Sequence, residues 1–79
     1  MNSNLDELLL LVSETLQVNI NALNISSGID NTPEWDSINH MSLILALESK
    51  YSIELTGDEI GELTTINRIY DCLKSKQEL

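Results

Sequence analysis

Hydrophobic residues recur with the period of an α-helix near both ends of the chain. Residues that share this period lie on one face of an amphipathic helix. The first set is Leu5, Leu8, Leu9, Val12 and Leu16, and the second is Ile66, Ile69, Tyr70 and Leu73. Ser3 and Asp6 have the spacing of a capping box before the first set, and Thr65 is a candidate cap before the second. The pattern therefore predicts a long helix at each end of the chain.

The segment after Trp35 predicts a third long helix with two hydrophobic faces. This helix should begin at Asp36 or Ser37, either of which can cap it, and end near Tyr51. At about 100° per residue, one face holds a core stripe of His40, Leu43, Ile44, Leu47 and Tyr51. The other face holds Ile38, Met41 and Leu45, which we call the apolar stripe. Because a helix in a small bundle needs one buried face, the apolar stripe either packs beneath Trp35 and the preceding loop or is exposed as a docking surface.

The remaining segments predict a long loop and a short helix. From about residue 18 to Asp36 the chain is rich in residues that favour turns. The side chains expected to anchor this loop in the core are Ile20, Leu23, Ile25, Ile29 and Trp35. Residues 52–55 alternate like a strand without a partner strand, so we expect an extended loop there, and Thr56 with Glu59 predicts a short helix after it. The sequence thus predicts an all-α fold, a four-helix bundle of three long helices and one short helix, in one domain over residues 1–79.

Composition narrows the function classes. Four basic residues stand against 13 acidic ones, a net charge of −9, which disfavours nucleic acids and anionic membranes and favours basic partner surfaces. One cysteine and one histidine exclude a disulfide framework and a multi-ligand zinc site, so no metal ligands are predicted. Cys72 is interpreted as a small buried hydrophobe, with an intermolecular disulfide as the alternative, and His40 as a packed or loop-bonded histidine, with proton transfer as the alternative. No pair of catalytic groups at a useful spacing is visible, so we do not expect an enzyme.

The ends and the longest apolar run bear on location. No basic segment precedes an apolar one at the start of the chain, and the run Leu8–Val12 is far too short to span a bilayer. The chain begins with methionine and carries no Pro- or Ser-rich linker. We therefore expect a free-standing cytoplasmic protein, not a module of a larger synthase, and self-repulsion favours a monomer.

Residues 34–38, Glu-Trp-Asp-Ser-Ile, resemble the phosphopantetheine attachment site of the acyl carrier protein family. That family has Asp-Ser-Leu, or Trp-Asp-Ser-Leu in many specialised members, at the start of its second helix. Residues 43–48, 51–55 and 63–66 also resemble the family's later segments, so the resemblance extends from about Leu5 to Leu73. The Trp-Asp-Ser form identifies the chain as similar to the specialised members, with an acyl-carrier-like bundle.

The resemblance implies a covalent cofactor and a set of partners. Ser37 would carry 4'-phosphopantetheine, transferred from coenzyme A by a Mg²⁺-dependent phosphopantetheinyl transferase, and Asp36 would contact that transferase or its metal. The arm would bear acyl or aminoacyl cargo as a thioester for the enzymes that load and transfer it, and the carrier itself would be non-catalytic. The alternative for both residues is an ordinary role in capping the helix.

One departure from the family pattern bears on the pathway. The family's second helix usually carries several acids, whereas the matching residues here are Asn39, Ser42, Ser49 and Lys50, with Glu48 as the one acid inside the helix. Docking would then depend more on apolar contacts, and the resemblance assigns partner-facing roles to Trp35, Ile38, Met41, Leu45 and Glu48. It favours a dedicated pathway, such as surface-glycan or specialised-metabolite assembly. The alternatives are a general carrier of fatty-acid synthesis and an unmodified, carrier-like interaction module.

Overall fold

The computed structural model describes residues 4–77, which form four α-helices and one 3₁₀ helix. The α-helices are α1 (Asn4–Leu16), α2 (Ser37–Tyr51), α3 (Gly57–Glu62) and α4 (Ile66–Gln77), and the 3₁₀ helix is Ile20–Ala22. Residues 4–77 contain no β-strand, although an isolated antiparallel bridge joins Gly28 to Thr65. The predicted all-α bundle with three long helices and one short helix is confirmed. Ser3, the predicted cap of α1, lies outside the described residues.

The core lies between the hydrophobic stripes of the three long helices. Each of the following side chains is at most 3 % exposed: Leu8, Val12, Leu16, Leu43, Ile44, Leu47, Ile66, Ile69 and Leu73. Helix α1 contacts both α2 and α4, and Tyr51 and Tyr70 pack against the core from partly buried positions. The predicted stripes are therefore confirmed, because helical period reports the face that a bundle buries. No helix within the described residues is long and apolar enough to cross a membrane.

The starts of α3 and α4 are capped by the side chains predicted from the sequence. Thr56 and Glu59 form the predicted capping box of α3: the Thr56 Oγ1 atom accepts a hydrogen bond from the Glu59 amide at 3.1 Å, and the Glu59 Oε1 atom accepts one from the Thr56 amide at 2.9 Å. The Thr65 hydroxyl accepts a hydrogen bond from the Arg68 amide at 3.2 Å and so caps α4. Helix α2 ends at Tyr51 and is capped by Ser52, whose φ of 55° is left-handed; residues 53–56 form the predicted loop, without helix or strand.

The loop between α1 and α2 is anchored differently from the prediction. Leu23 and Trp35 are buried, at 8 % and 1 % exposure, as expected. The other three predicted anchors are wrong, because their side chains are 37–42 % exposed: Ile20, Ile25 and Ile29. Hydrophobicity alone therefore overestimates how much of this loop reaches the core.

Backbone hydrogen bonds to the start of α4 hold the loop instead. The Ile29 amide donates to the Thr64 carbonyl at 3.0 Å, and the Ile66 amide donates to the Ser27 carbonyl at 2.9 Å. The side chain of Asn31 stabilises the same turn, accepting from the Gly28 amide at 2.9 Å and donating to the Ser26 carbonyl at 3.0 Å. The main chain is thus fixed while the isoleucine side chains point outward.

Candidate attachment site at the start of the central helix

Ser37 is the first residue of α2, and its side chain is exposed. Asp36 is the cap of this helix, since its Oδ1 atom accepts a hydrogen bond from the Asn39 amide at 2.8 Å. The interpretation of Asp36 as a cap is confirmed, and the alternative that Ser37 is an ordinary N-cap is wrong because its neighbour takes that role. The Ser37 hydroxyl is therefore presented to solvent at the positive end of the helix dipole.

The segment that leads into Ser37, residues 34–37, is held by hydrogen bonds on both sides and is called the attachment segment below. The Trp35 amide donates to the Thr32 carbonyl at 2.8 Å, which closes a turn before the helix. The side-chain amide of Asn39 donates to the Glu34 carbonyl at 2.7 Å, and the His40 amide donates to the Asp36 carbonyl at 2.7 Å. Ser37 thus lies between fixed residues although its own side chain is free of the capping role.

The Trp35 side chain lies inside the protein, and the prediction that it faces a partner is wrong. The indole is 1 % exposed, and its Nε1–H donates to the His40 Nδ1 atom at 3.0 Å. The two rings stack at an angle of 28° with their centroids 6.2 Å apart. A buried indole needs an acceptor for its N–H, and His40 provides one beneath the start of α2.

The prediction that His40 is packed or loop-bonded is confirmed. The ring is 8 % exposed, and its Nε2 atom lies 2.8 Å from the carbonyl oxygen of Ile60 in α3. Since the Trp35 indole can only donate, the His40 Nδ1 atom must accept, and the proton of the neutral ring therefore lies on Nε2 and is donated to Ile60. This link between α2 and α3 is not predicted from the sequence, because its partner is a backbone carbonyl.

The apolar stripe of α2 is exposed. Ile38, Met41 and Leu45 are 79 %, 48 % and 63 % exposed and lie along one face of the helix. The alternative in which they pack beneath Trp35 and the loop is wrong, because the indole is turned toward His40 and the core. Whether a partner uses the stripe is not decided by its exposure, so that role stays a prediction.

The sequence and the structure of the chain are both similar to those of acyl carrier proteins. No family model matches the chain. The chain is 38 % identical over 39 residues to the acyl carrier protein of Buchnera aphidicola subsp. Baizongia pistaciae, a match that covers 49 % of this chain and 50 % of that protein, so it spans about half the length of this curated relative. The solution structure of a holo acyl carrier protein from Geobacter metallireducens superposes with a TM-score of 0.82 at 26 % identity, covering 94 % of this chain and 85 % of that one. These likenesses support a relationship between this chain and the acyl carrier protein family.

Within the acyl carrier protein fold, the acidic residues of this chain flank the central helix. Three of them precede it or cap it, and three follow it, all with exposed side chains: Asp30, Glu34, Asp36, Glu54, Asp58 and Glu62. Glu48, inside the helix, is partly buried, and its Oε2 atom accepts a hydrogen bond from the Leu55 amide at 2.9 Å. Glu48 thus stabilises the chain after α2, and its predicted contact with a partner is untested.

A separate cleft of about 370 Å³ lies between α3 and α4 in this acyl carrier fold. The Lys76 Nζ atom lies 3.0 Å from the Glu59 Oε2 atom there. The Thr56 amide and then Lys76 lower the pKa of the Glu59 carboxyl, whereas burial and the Glu59 charge raise the pKa of the Cys72 thiol. Cys72 is partly buried against the core, less enclosed than predicted, because it borders this cleft.

Proposed function

We propose that this chain is an acyl carrier protein whose Ser37 hydroxyl is the attachment point of 4'-phosphopantetheine. The observation that carries the proposal is the exposed Ser37 hydroxyl at the first position of α2, beside a separate capping residue, Asp36. The structural likeness to a holo acyl carrier protein supports it. The cargo is an acyl or aminoacyl group, and the chain serves as a carrier without catalysing a reaction.

The residues around Ser37 fit such a group. The phosphodiester would add a negative charge at the start of a 15-residue helix, where the helix dipole and the first amides favour anions. When bound, the group supplies a thiol that holds the cargo as a thioester. Asp36 Oδ1 is engaged with the Asn39 amide, so activation of the Ser37 hydroxyl falls to the transferase. The carboxylate of Asp36 remains exposed to contact the transferase or its Mg²⁺.

Partner enzymes would dock on α2 through the apolar stripe. The stripe begins at Ile38, next to the attachment point, and its three members are the exposed large hydrophobic residues of this helix. The net charge of −9 favours partners with basic surfaces. These partners are the phosphopantetheinyl transferase and the enzymes that load and transfer the cargo, and the chain acts as a monomer in the cytoplasm.

A dedicated pathway, such as surface-glycan or specialised-metabolite assembly, fits α2 better than general fatty-acid synthesis. The exposed face of the helix carries apolar and neutral residues where carriers of fatty-acid synthesis usually present acids. Ser42→Glu is the cleaner test of this idea, because Asn39 donates to the Glu34 carbonyl and its replacement would break that bond. We expect Ser42→Glu to improve loading by fatty-acid synthesis enzymes. An unchanged loading rate would contradict the idea that the missing acids on α2 exclude the chain from fatty-acid synthesis.

Modification of Ser37 is tested by mass spectrometry. The chain is incubated with coenzyme A, Mg²⁺ and a broad-specificity transferase, and we expect a gain of one phosphopantetheinyl group. Ser37→Ala should gain none, whereas Ser42→Ala, an exposed serine on the same helix, should react like the wild type. A group gained by Ser37→Ala would contradict the site, and an unmodified wild type would contradict the carrier function.

The exposed apolar stripe favours a second candidate, an interaction module that works without modification. A partner could bind Ile38, Met41 and Leu45 whether or not Ser37 is modified. The two functions differ in a complementation assay: Ser37→Ala abolishes the activity of a carrier and leaves that of a module unchanged. Leu45→Asp should impair both.

A further inference from the structure

We propose that Trp35 and His40 form a latch that fastens the attachment segment to α3, and that His40 is thereby a positioning residue for Ser37. The latch consists of the hydrogen bond from Trp35 Nε1 to His40 Nδ1, at 3.0 Å, and the hydrogen bond from His40 Nε2 to the Ile60 carbonyl, at 2.8 Å. The positioning role rests on the proposed function, whereas the mechanical link between the two elements does not.

The α3 half of the latch adds a hydrogen bond from α2 to the contacts that hold this short helix. The helix has six residues, none of them fully buried. Ile60 packs against the core from a partly buried position, and Glu59 forms an ion pair with Lys76 of α4. Ile60 lies in its last turn, where carbonyl groups lack a partner further along the helix. His40 supplies that partner from α2. Its ring therefore caps the end of α3 as well as joining two helices.

The Trp35 half of the latch reaches the attachment segment. Trp35 lies two residues before Ser37, and His40 lies three residues after it, with its amide bonded to the Asp36 carbonyl at 2.7 Å. Both halves meet on one neutral imidazole, which accepts at Nδ1 and donates at Nε2. Movement of α3 away from α2 would break the bond from His40 Nε2 to Ile60 and leave the ring that accepts from the buried indole less firmly oriented. The attachment segment and α3 should thus loosen together.

Two conservative variants separate the halves of the latch. His40→Asn places an amide oxygen near the position of Nδ1, so it retains an acceptor for Trp35 but is too short to reach Ile60. His40→Gln places an amide nitrogen near the position of Nε2, so it retains the donor to Ile60 and loses the acceptor. Trp35→Phe removes the indole donor together with part of the ring volume and keeps an aromatic ring in the core. Ile69→Val is the control, since it removes one buried methylene group from α4, away from the latch.

Amide hydrogen exchange measured by NMR on the full chain tests the link without any modification of Ser37. The reporters are the amides of Ile60 and Leu63, which bond to Thr56 and Glu59. We expect His40→Asn, which loses the bond to Ile60, to raise their exchange rates about fivefold relative to Ile69→Val, as loss of one hydrogen bond does. His40→Gln and Trp35→Phe both keep the donor to Ile60 and should stay closer to wild type. Equal exchange rates in His40→Asn and His40→Gln would overturn the latch.

Transferase kinetics test the positioning role. Under conditions where each variant is folded by circular dichroism, we expect Trp35→Phe and His40→Asn to raise the KM for the protein about fivefold with kcat nearly unchanged, because a loosened segment costs binding. Ile69→Val should retain the wild-type KM. An equal rise in KM for Ile69→Val would reduce the effect to general stability and overturn the positioning role. A wild type that is never modified would refute the proposed function, and the exchange experiment would still decide the link.

Discussion

The loop before α2 passes so close to the start of α4 at Gly28 that the protein has no room for a side chain there. A Cβ atom would collide with the carbonyl oxygen of Thr64 and would lie 2.8 Å and 3.0 Å from the Cγ2 and Cα atoms of Thr65. Because Thr64 O and Thr65 Cα are backbone atoms, the collision cannot be relieved by a change of rotamer. The φ angle of Gly28 is not positive, so the requirement for glycine is one of space. We therefore expect Gly28→Ala to push the loop away from α4.

The magnitude follows from the contacts that this shift would disturb. Overpacking at a close contact costs about 1–3 kcal/mol, and the neighbouring hydrogen bonds from Ile29 to Thr64 and from Ile66 to Ser27 contribute about 1 kcal/mol each. We expect the free energy of unfolding to fall by about 3 kcal/mol, which lowers Tm by roughly 15 °C in a domain of this size. Urea unfolding followed by fluorescence measures it, since the single tryptophan, Trp35, is buried.

Gly61→Ala is the matched control because it adds the same methyl group in open space. No atom lies within 4 Å of a Cβ at Gly61, and alanine is favoured over glycine in a helix such as α3 by about 0.5–1 kcal/mol. The same chemical change should therefore stabilise the protein at residue 61 and destabilise it at residue 28. If Gly28→Ala unfolds within about 0.5 kcal/mol of the wild type, the close packing of the loop against α4 is refuted.

Three further outcomes are expected from the packing and the charges. Leu47→Ala should cost about 2–5 kcal/mol and Leu45→Ala less than about 0.5 kcal/mol in urea unfolding, because the two leucines of α2 are 1 % and 63 % exposed; equal losses would contradict the assignment of the two faces. The pKa of the Glu59 carboxyl is lowered in the folded protein, so its ionised form stabilises the fold at pH values above the ordinary pKa of 4.5, and this contribution is lost as the pH falls through the lowered pKa. Glu59→Gln should therefore flatten the acid side of a plot of Tm against pH. A curve for Glu59→Gln that runs parallel to the wild-type curve would contradict this contribution. The raised pKa of Cys72 should make its alkylation by iodoacetamide slower at neutral pH than in the urea-unfolded chain, and Glu59→Gln should speed it by removing a negative charge; an unchanged rate in that variant would exclude an effect of Glu59.

The long helices could be predicted from the sequence because each buries a stripe that repeats with helical period. The same period could not predict whether the apolar stripe of α2 is buried or exposed. It reports which residues share a face, whereas burial depends on what the rest of the chain brings against that face. The loop could have covered Ile38, but the Trp35 indole turns to His40, and Ile38 remains 79 % exposed.

The loop anchors were partly wrong for a related reason. A hydrophobic residue in an irregular segment has no period to indicate its direction, so Ile25 and Ile29 were assigned to the core on hydrophobicity alone. The loop is held by its backbone and by short polar side chains such as Asn31, which accepts from the Gly28 amide. Asparagine and serine at turn spacing carry this signal in the sequence, and they would have predicted an ordered loop with few buried side chains.

The start of α2 was predicted to within one residue, and the sequence could not go further. Asp36 and Ser37 are both good caps, and which of them caps α2 depends on where the helix begins. The link from Trp35 to His40 also had a signal, since a buried indole needs an acceptor and His40 lies on the core stripe. Its second partner is the backbone carbonyl of Ile60, which no pattern of side chains can indicate.

Charged and apolar residues occupy different parts of the surface around α2 and have different effects on binding. The exposed centre of the helix is apolar, whereas exposed carboxylates lie before and after it, from Asp30 to Asp36 and from Glu54 to Glu62. A second copy of this chain, with the same net charge of −9, is repelled before its own apolar stripe comes within reach, while a basic partner is attracted over a Debye length of about 8–10 Å. Electrostatic attraction mainly raises the rate of encounter, and contact of apolar surface mainly slows dissociation. An exposed stripe between acidic ends therefore fits the proposed carrier role, because it disfavours self-association and favours short-lived complexes with basic partners.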